Sequence, residues 1–233
     1  STPRQPMPAR DPRERGGDFQ EVALGYSQDT AVIEARRCLQ CKHRPCVGGC
    51  PVGIDIPGFI ARIAEHDPLG AWEVLNRDTA LPAVCGRVCP QESQCEGKCV
   101  RAVKGEPVAI GALERFAADA HMHAGRKPVE LPAPNGRRVA VVGAGPSGLT
   151  AAGELAKMGY SVTLFEALHE PGGVLIYGIP EFRLPKDIVR YEVDALRELG
   201  VEVSCNMVVG RTITVDELFE QGYEAVYIGS GAG

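Results

Sequence analysis

Long apolar runs are missing from this chain of 233 residues. Its longest stretch without a charge, Val139 to Gly153, is 15 residues and full of glycine, short of the roughly 20 that a membrane-spanning helix needs. The polar, proline-rich start has no apolar segment of the secretory-leader kind. Neither charge sign dominates: 25 basic residues face 30 acidic ones, for a net charge of −5. A membrane or nucleic-acid partner is therefore not expected without a local basic patch. A phosphate-loop lysine motif and a Gly-x-Ser-x-Gly elbow are also missing, which leaves phosphoryl transfer and esterase chemistry unsupported. What remains, 44% hydrophobic and 24% charged, is ordinary globular composition and argues against disorder.

Two things are abundant. Glycine and proline, 28 and 18 residues, exceed the roughly 12% of average usage, so long stretches must be turn and loop. Nine cysteines are present, and all but Cys205 fall between Cys38 and Cys99. Without a secretory leader, such a cluster reads as metal ligation in a reducing compartment rather than as a disulfide framework, and a cytoplasmic address follows.

The pattern along the chain predicts an α-helical domain over 1–125, a linker over 126–137 and an α/β Rossmann-like domain over 138–233. Residues 1–26 read as a solvated arm carrying Arg10, Arg13 and Arg15. Short helices are expected from Ala31 to Gln40 after a Ser27 or Asp29 cap, near Pro57 to Glu65, from Asp67–Pro68 to Asn76, and from Ile110 to about His123, where Leu113, Ala117 and Ala120 recur at helical spacing. The thin apolar content of these segments suggests helices packed around something that the loops hold. Beyond the linker, strand 138–142, helix 146–159 and strand 161–166 make a βαβ start. A helix from about Lys186 to Leu199, a strand at 201–204, a helix capped by Thr214 with Glu217 and a strand at 225–229 complete an alternation that implies a parallel sheet.

Gly143-x-Gly145-x-x-Gly148 stands directly after a buried strand and at the head of a helix. Gly143 permits a tight turn, Gly145 lets backbone approach a pyrophosphate, and Gly148 lets helix and strand pack closely, with the phosphates at the helix amino terminus. Glu166, 23 residues past Gly143, is placed to accept hydrogen bonds from a ribose hydroxyl and would repel a 2′-phosphate. The loop therefore reads as a site for an ADP moiety. A second glycine pair, Gly172-Gly173, would let another backbone segment approach the cofactor, as an extended FAD requires.

Cys38-x2-Cys41-x4-Cys46-x3-Cys50-Pro51 supplies four thiolates, and Cys85-x3-Cys89-Pro90-x4-Cys95-x3-Cys99 supplies four more. Soft thiolates in fours select zinc or iron–sulfur clusters. Zinc would ask for paired C-x2–4-C knuckles about 12–20 residues apart. One C-x2-C followed by wider steps, with a Cys-Pro in each group, favours two iron–sulfur clusters over zinc or disulfides.

Together, Phe19 to Tyr26, Arg37-Cys-Leu-Gln-Cys41, Gly49 to Pro57, Cys85-Gly-Arg-Val-Cys-Pro90 and Cys95-Glu-Gly-Lys-Cys99 resemble the glutamate synthase small subunit family. That family includes the large subunit of the electron-bifurcating ferredoxin:NADP transhydrogenase and the amino-terminal part of dihydropyrimidine dehydrogenase. The resemblance implies two 4Fe–4S clusters in a helical domain followed by an FAD domain. It implies Cys38, Cys41, Cys46 and Cys99 as ligands of one cluster. Cys50, Cys89 and Cys95 would hold the other, with Glu114 of Ile110-Gly-Ala-Leu-Glu114 in place of a fourth thiolate. It extends the cofactor-binding set to Pro146, Ser147, Ala167, Leu175, Ile179, Arg183 and Val208. Cys85 is left as a small core residue, Cys205 as a buried and inert one, and His121 and His123 as a solvated helix end.

Family members continue into an NADP(H) domain, and only one complete dinucleotide loop is present here. The resemblance thus implies an electron-transfer flavoprotein subunit, an NAD(P)H-linked oxidoreductase whose nicotinamide site lies outside these residues. It would pass single electrons to a larger amidotransferase or redox subunit, or to a ferredoxin-reductase-like flavoprotein in the bifurcating alternative. A zinc-based docking module beside a vestigial nucleotide fold is the competing expectation of another class.

Overall fold

The computed structural model of the chain describes residues 2–126 and 130–231. These divide into two compact units, 2–126 with 181–183 and 130–180 with 184–231. Of the expected linker, 130–137 is almost wholly exposed; residues 127–129 lie outside the described residues, as do 232 and 233 of the closing glycine-rich segment.

The first unit contains α1 (Pro12–Arg15), α2 (Gln28–Ala35), α3 (Pro45–Gly48), α4 (Ile56–Ala64), α5 (Pro68–Asp78), α6 (Pro82–Val88) and α7 (Ile110–Ala124), with single turns at Glu96–Lys98 and Val100–Val103. Proline opens α3, α4, α5 and α6, where its missing N–H is not needed and its fixed φ suits the first turn. Asp55 and Asp67 cap α4 and α5 by accepting from the Gly58 and Gly70 N–H groups, and Ser27 caps α2. The core is small: Ile56, Phe59, Ile60, Ile63, Leu75 and Leu113 fill it, with Cys38, Cys46, Cys50 and Cys99 packed at its edge.

Two expectations need correction. Helix α2 stops at Ala35 rather than Gln40, because the chain tightens into turns from Glu34 and Ala35 and then takes left-handed backbone at Gln40 and Arg44. Cys38 and Cys41 therefore sit in a loop. The arm is not loose either. It doubles back on itself, with Ala9 bridged to Ala23, the Arg10 N–H donating to the Val22 carbonyl and the Leu24 N–H to that of Pro8. Arg10 grips Asp18 through both guanidinium nitrogens at 2.6 Å, and the Tyr26 hydroxyl donates to the Gln5 carbonyl.

The second unit contains β1 (Arg138–Val142), α8 (Pro146–Lys157), β2 (Ser161–Phe165), α9 (Val174–Tyr177), α10 (Lys186–Glu198), β3 (Glu202–Ser204), α11 (Val215–Glu220) and β4 (Ala225–Ile228). Its four strands pair in parallel in the order β3-β2-β1-β4. The inner strands β1 and β2 are buried through Val139, Ala140, Val141, Val162 and Leu164, which is why they read as near-continuous apolar runs. Thr214 and Glu217 form the expected capping box on α11. Among the described residues no helix is long and apolar enough to cross a membrane.

Candidate cofactor-binding sites

The eight clustered thiols do not behave as the two sequential groups in which they occur. Burial raises Cys38, and the nearby Cys99 and Cys41 raise it further. Burial pushes Cys46 up to about 11, again with Cys38 and Cys99 acting on it. Cys95 is pushed up to about 12 by burial, then by Glu96, Glu114 and Cys50. Burial likewise raises Cys89, with Glu114 and Cys50 next. The neighbours that act on Cys38 and Cys46 never include those that act on Cys89 and Cys95. One set is thus Cys38, Cys41, Cys46 and Cys99; the other is Cys50, Cys89, Cys95 and Glu114. Cys85 is half-buried on α6, and its carbonyl accepts from the Gln91 side chain.

None of the nine cysteines is in a disulfide. Among the described residues no group of three or more His, Cys, Asp or Glu is placed to hold a single metal ion. Burial opposes ionisation of Cys38, Cys46, Cys89 and Cys95, and a bound multivalent cation would let such thiols ionise beside a carboxylate.

Glu114 reaches the second set because α6 and α7 lie unusually close. A Cβ at Gly86 would sit 2.5 Å from the Arg115 backbone nitrogen, so only glycine allows the contact. Glu114 is 6% exposed and not an ordinary solvated helix acid. Around the thiols runs a buried charge network that sequence reasoning missed. Glu34, fully buried, pairs with Arg37 and accepts from the Ala109 and Gln5 N–H groups. Arg37 also donates to the carbonyls of Thr2, Glu106 and Pro107. Glu96 accepts from Arg4 at 2.8 Å and from the Gly111 N–H. These ties join the folded-back arm to the residues on either side of Cys38 and Cys95. In the sequence Glu34 and Arg37, three apart, look like an ordinary solvated helix pair, so nothing there marked them as buried.

In the second unit, the carboxyl ends of β1, β2 and β4 open onto a cleft of about 650 Å³, within the usual range for a cofactor site. Gly143, Gly145, Pro146, Ser147, Glu166, Ala167, Gly173 and Val208 line it, as do the unanticipated Val142, Phe165, Leu168, Met207, Ile228 and Ser230. The amino end of α8 faces this cleft from Gly145, which offers no capping side chain; its free N–H groups and dipole suit an anion. Gly173 closes the loop from the other side: a Cβ there would lie 2.8 Å from Gly145 Cα. The Gly172 N–H donates to the Ala144 carbonyl. Glu166 is 6% exposed, and its two oxygens accept from the Ala144 and Leu168 N–H groups at 2.8 and 2.9 Å. It therefore pins the glycine loop to β2, with one lone pair per oxygen left for a ligand.

Several expected positions fall elsewhere. Gly148, Gly172, Leu175, Ile179 and Arg183 do not line the cleft. Gly148 packs its backbone against the Gly143 carbonyl, Leu175 is buried, and Arg183 groups with the helical unit. Cys205 is half-buried rather than buried. His121 is no solvated end, since its ring stacks on Trp72 at 3.5 Å and 1°.

Fold and site together define a helical cysteine domain followed by a Rossmann-like dinucleotide-binding unit. Residues 15–126 match the family model described as dihydropyrimidine dehydrogenase domain II, 4Fe-4S cluster, and 141–197 match an NAD(P)-binding Rossmann-like domain. The chain is similar to oxidoreductase subunits, a glutamate synthase small chain among them. Over 98% of its length it is 35% identical to the glutamate synthase [NADPH] small chain of Halomonas elongata, covering 48% of that protein. Over 85% it is 39% identical to the NAD-dependent dihydropyrimidine dehydrogenase subunit PreT of Escherichia coli, again covering 48%. Over 80% it is 40% identical to the NADP(+)-dependent formate dehydrogenase subunit beta of Moorella thermoacetica, covering 29%. The chain thus spans about half the length, or less, of these relatives.

Proposed function

We propose that these residues are the cluster- and flavin-binding portion of an NAD(P)H-linked electron-transfer subunit. Cys38, Cys41, Cys46 and Cys99 hold one 4Fe–4S cluster; Cys50, Cys89, Cys95 and Glu114 hold a second; the cleft takes the ADP half of FAD. The observation that supports this reading is that Cys38 and Cys46 have Cys99 as a shared acting neighbour, with Cys41 also acting on Cys38, whereas Cys89 and Cys95 share Cys50 and Glu114. Bound there, a flavin would exchange a hydride with NAD(P)H and the clusters would carry its electrons singly.

The chain's own part is placement and electrostatics. Left-handed backbone at Gln40 and Arg44 turns the loop that carries Cys38 and Cys41. Glu114 gives the second set a harder donor than thiolate, which alters that centre's charge and potential. The amino end of α8 receives the pyrophosphate. Glu166 accepts ribose hydroxyls with its remaining lone pairs and rejects a 2′-phosphate by charge. The nicotinamide site lies in residues beyond these or in another polypeptide. A larger subunit, of the amidotransferase type in a glutamate-synthase setting, receives the electrons.

Anaerobically purified protein should contain about eight iron and eight acid-labile sulfide per chain, together with FAD. Glu114→Ala should lower occupancy or shift the electron paramagnetic resonance signal of one cluster and leave the other alone. Protein without labile sulfide, or identical spectra for mutant and parent, would overturn the cluster assignment or the Glu114 ligand role respectively.

A further inference from the structure

Of the four clustered thiols that burial raises, three are partly relieved by backbone hydrogen bonds: Gln40 acts so on Cys38, Val47 on Cys46 and Glu96 on Cys95. Among the described residues no backbone group acts in this way on Cys89. The reason is local. Pro90 follows Cys89 and has no N–H to offer, and the next N–H, that of Gln91, donates to the Cys89 carbonyl at 2.9 Å.

The hydrogen-bond partner that Cys89 does have is a side chain: its thiol donates to the Gln94 amide oxygen at 2.9 Å. Residues 90–96 wind tightly enough to bring Gln94 back to it. The Ser93 N–H donates to the Pro90 carbonyl, and the Gln94 and Glu96 N–H groups donate to that of Gln91. Gln94 is half-buried, and Gly49 packs against its backbone, where a Cβ would lie 2.8 Å from the Gln94 carbonyl oxygen. The other thiol set has a counterpart. Gln40 Nε2 reaches the Cys38 sulfur at 3.6 Å and donates to the Pro57 carbonyl at 3.0 Å. The two amides thus meet their sulfurs with opposite ends. Gln40 presents N–H, which suits a thiolate. Gln94 presents its oxygen, which only a protonated thiol can satisfy, because a sulfur that has lost its proton accepts and cannot donate. Turning the amide about its last side-chain bond exchanges the ends without moving the backbone.

We infer that Gln94 is a positioning residue for the second thiol set: it turns its amide NH₂ to Cys89 when that sulfur becomes a ligand, and so raises the reduction potential of the centre held there. This rests on the cluster reading of Cys50, Cys89, Cys95 and Glu114. One-electron reduction adds negative charge that the ligand sulfurs share. An N–H donor therefore stabilises the reduced form more than the oxidised one, and the potential rises. After a Cys-Pro step, the side chain supplies the donor that the backbone lacks.

The test titrates anaerobically purified, iron-loaded chain with titanium(III) citrate and reads the midpoint of each centre by electron paramagnetic resonance, the second centre being the one whose signal Glu114→Ala alters. Gln94→Leu should make reduction of that centre about tenfold less favourable, about 59 mV lower for one electron, with the first centre unmoved. Gln94→Glu, close in shape but without an N–H donor when ionised, should lower it at least as far. Should Gln94→Leu lose its iron, Gln94→Glu decides. Unchanged midpoints in the loaded variants, equal shifts of both centres, or loss of iron from both variants would overturn the role of Gln94 and leave the cluster reading standing. A parent without iron and sulfide would overturn both.

Discussion

The two units of this chain are held together differently. The α/β unit closes a parallel ladder around Val139, Val141 and Leu164, and among its described residues the buried acids are Glu166 and Glu192. The helical unit has a narrower apolar core and buries Glu34, Arg37, Glu96, Glu114 and Arg115, together with its thiols. A sheet satisfies its backbone through its own neighbours. Loops that carry ligands must be tied down one polar group at a time. The difference implies that the helical unit depends on what its cysteines hold, and the α/β unit does not.

Metal removal should break the comparison most strongly. Trp72 is the chain's single tryptophan, and its stack on His121 joins α5 to α7, so its fluorescence reports the helical unit alone. Stripping the metal with a chelator should shift Trp72 emission to the red and abolish much of the helical circular dichroism. Binding free energies of tightly held structural metals are on the order of 10 kcal/mol and enter folding directly. Dinucleotide binding by the cleft should persist. Joint loss of both signals would mean that the units fold as one.

Next in size is the Glu34–Arg37 pair. Arg37→Met strands a carboxylate that is 0% exposed and leaves three carbonyls without their donor. Removing one partner of a buried pair costs about 3–5 kcal/mol. The Trp72 unfolding midpoint should fall accordingly while the α/β unit keeps its own. Arg37→Lys should rescue little, because one ammonium cannot reproduce a fork that reaches four acceptors.

On the other side of the comparison, Glu166→Gln keeps the shape but turns an amide NH₂ toward one of two backbone N–H donors. It should cost the α/β unit about 1–3 kcal/mol and weaken dinucleotide binding. Trp72 should not move. A Glu166→Gln effect on the helical unit equal to that on the cleft would erase the distinction drawn between them.

The same contrast explains what could be read before the structure. Backbone-driven features were legible: Arg138–Val142, Ser161–Phe165 and the Thr214–Glu217 box follow from period, caps and alternation, because a parallel ladder repeats its chemistry along the chain. Proline and aspartate marked the starts of α4 and α5 for the same local reason. The grouping of the cysteines came from resemblance, since Cys46 and Cys50 are only four apart and spacing alone cannot say which distant thiols each one joins. The Arg4–Glu96 and Glu34–Arg37 ties were invisible, because each joins residues whose surroundings are decided by distant segments. The arm was misread in part for that reason: residues 11–20 are exposed as expected, but Arg4 and Gln5 meet the buried Glu96 and Glu34.

The smallest effect concerns that arm. The Arg10 guanidinium beside Asp18, helped by the Gln20 N–H, holds the Asp18 carboxyl at about 2 against an ordinary 3.8. A depressed carboxylate contributes its stabilisation above its unfolded value and loses it as pH falls toward the folded one, so the grip weakens only from about pH 4 down to about 2. Between pH 5 and 8 the arm's hydrogen-exchange protection, corrected for intrinsic rate, should therefore be flat. At neutral pH, Asp18→Asn should reproduce the acid effect by loosening the Arg10 and Leu24 amides that bond to Val22 and Pro8. Because both side chains reach solvent, the change should be confined to the arm, with Trp72 emission and the α/β unit unmoved; a shift of the global unfolding midpoint would show instead that the fold-back supports the whole helical unit.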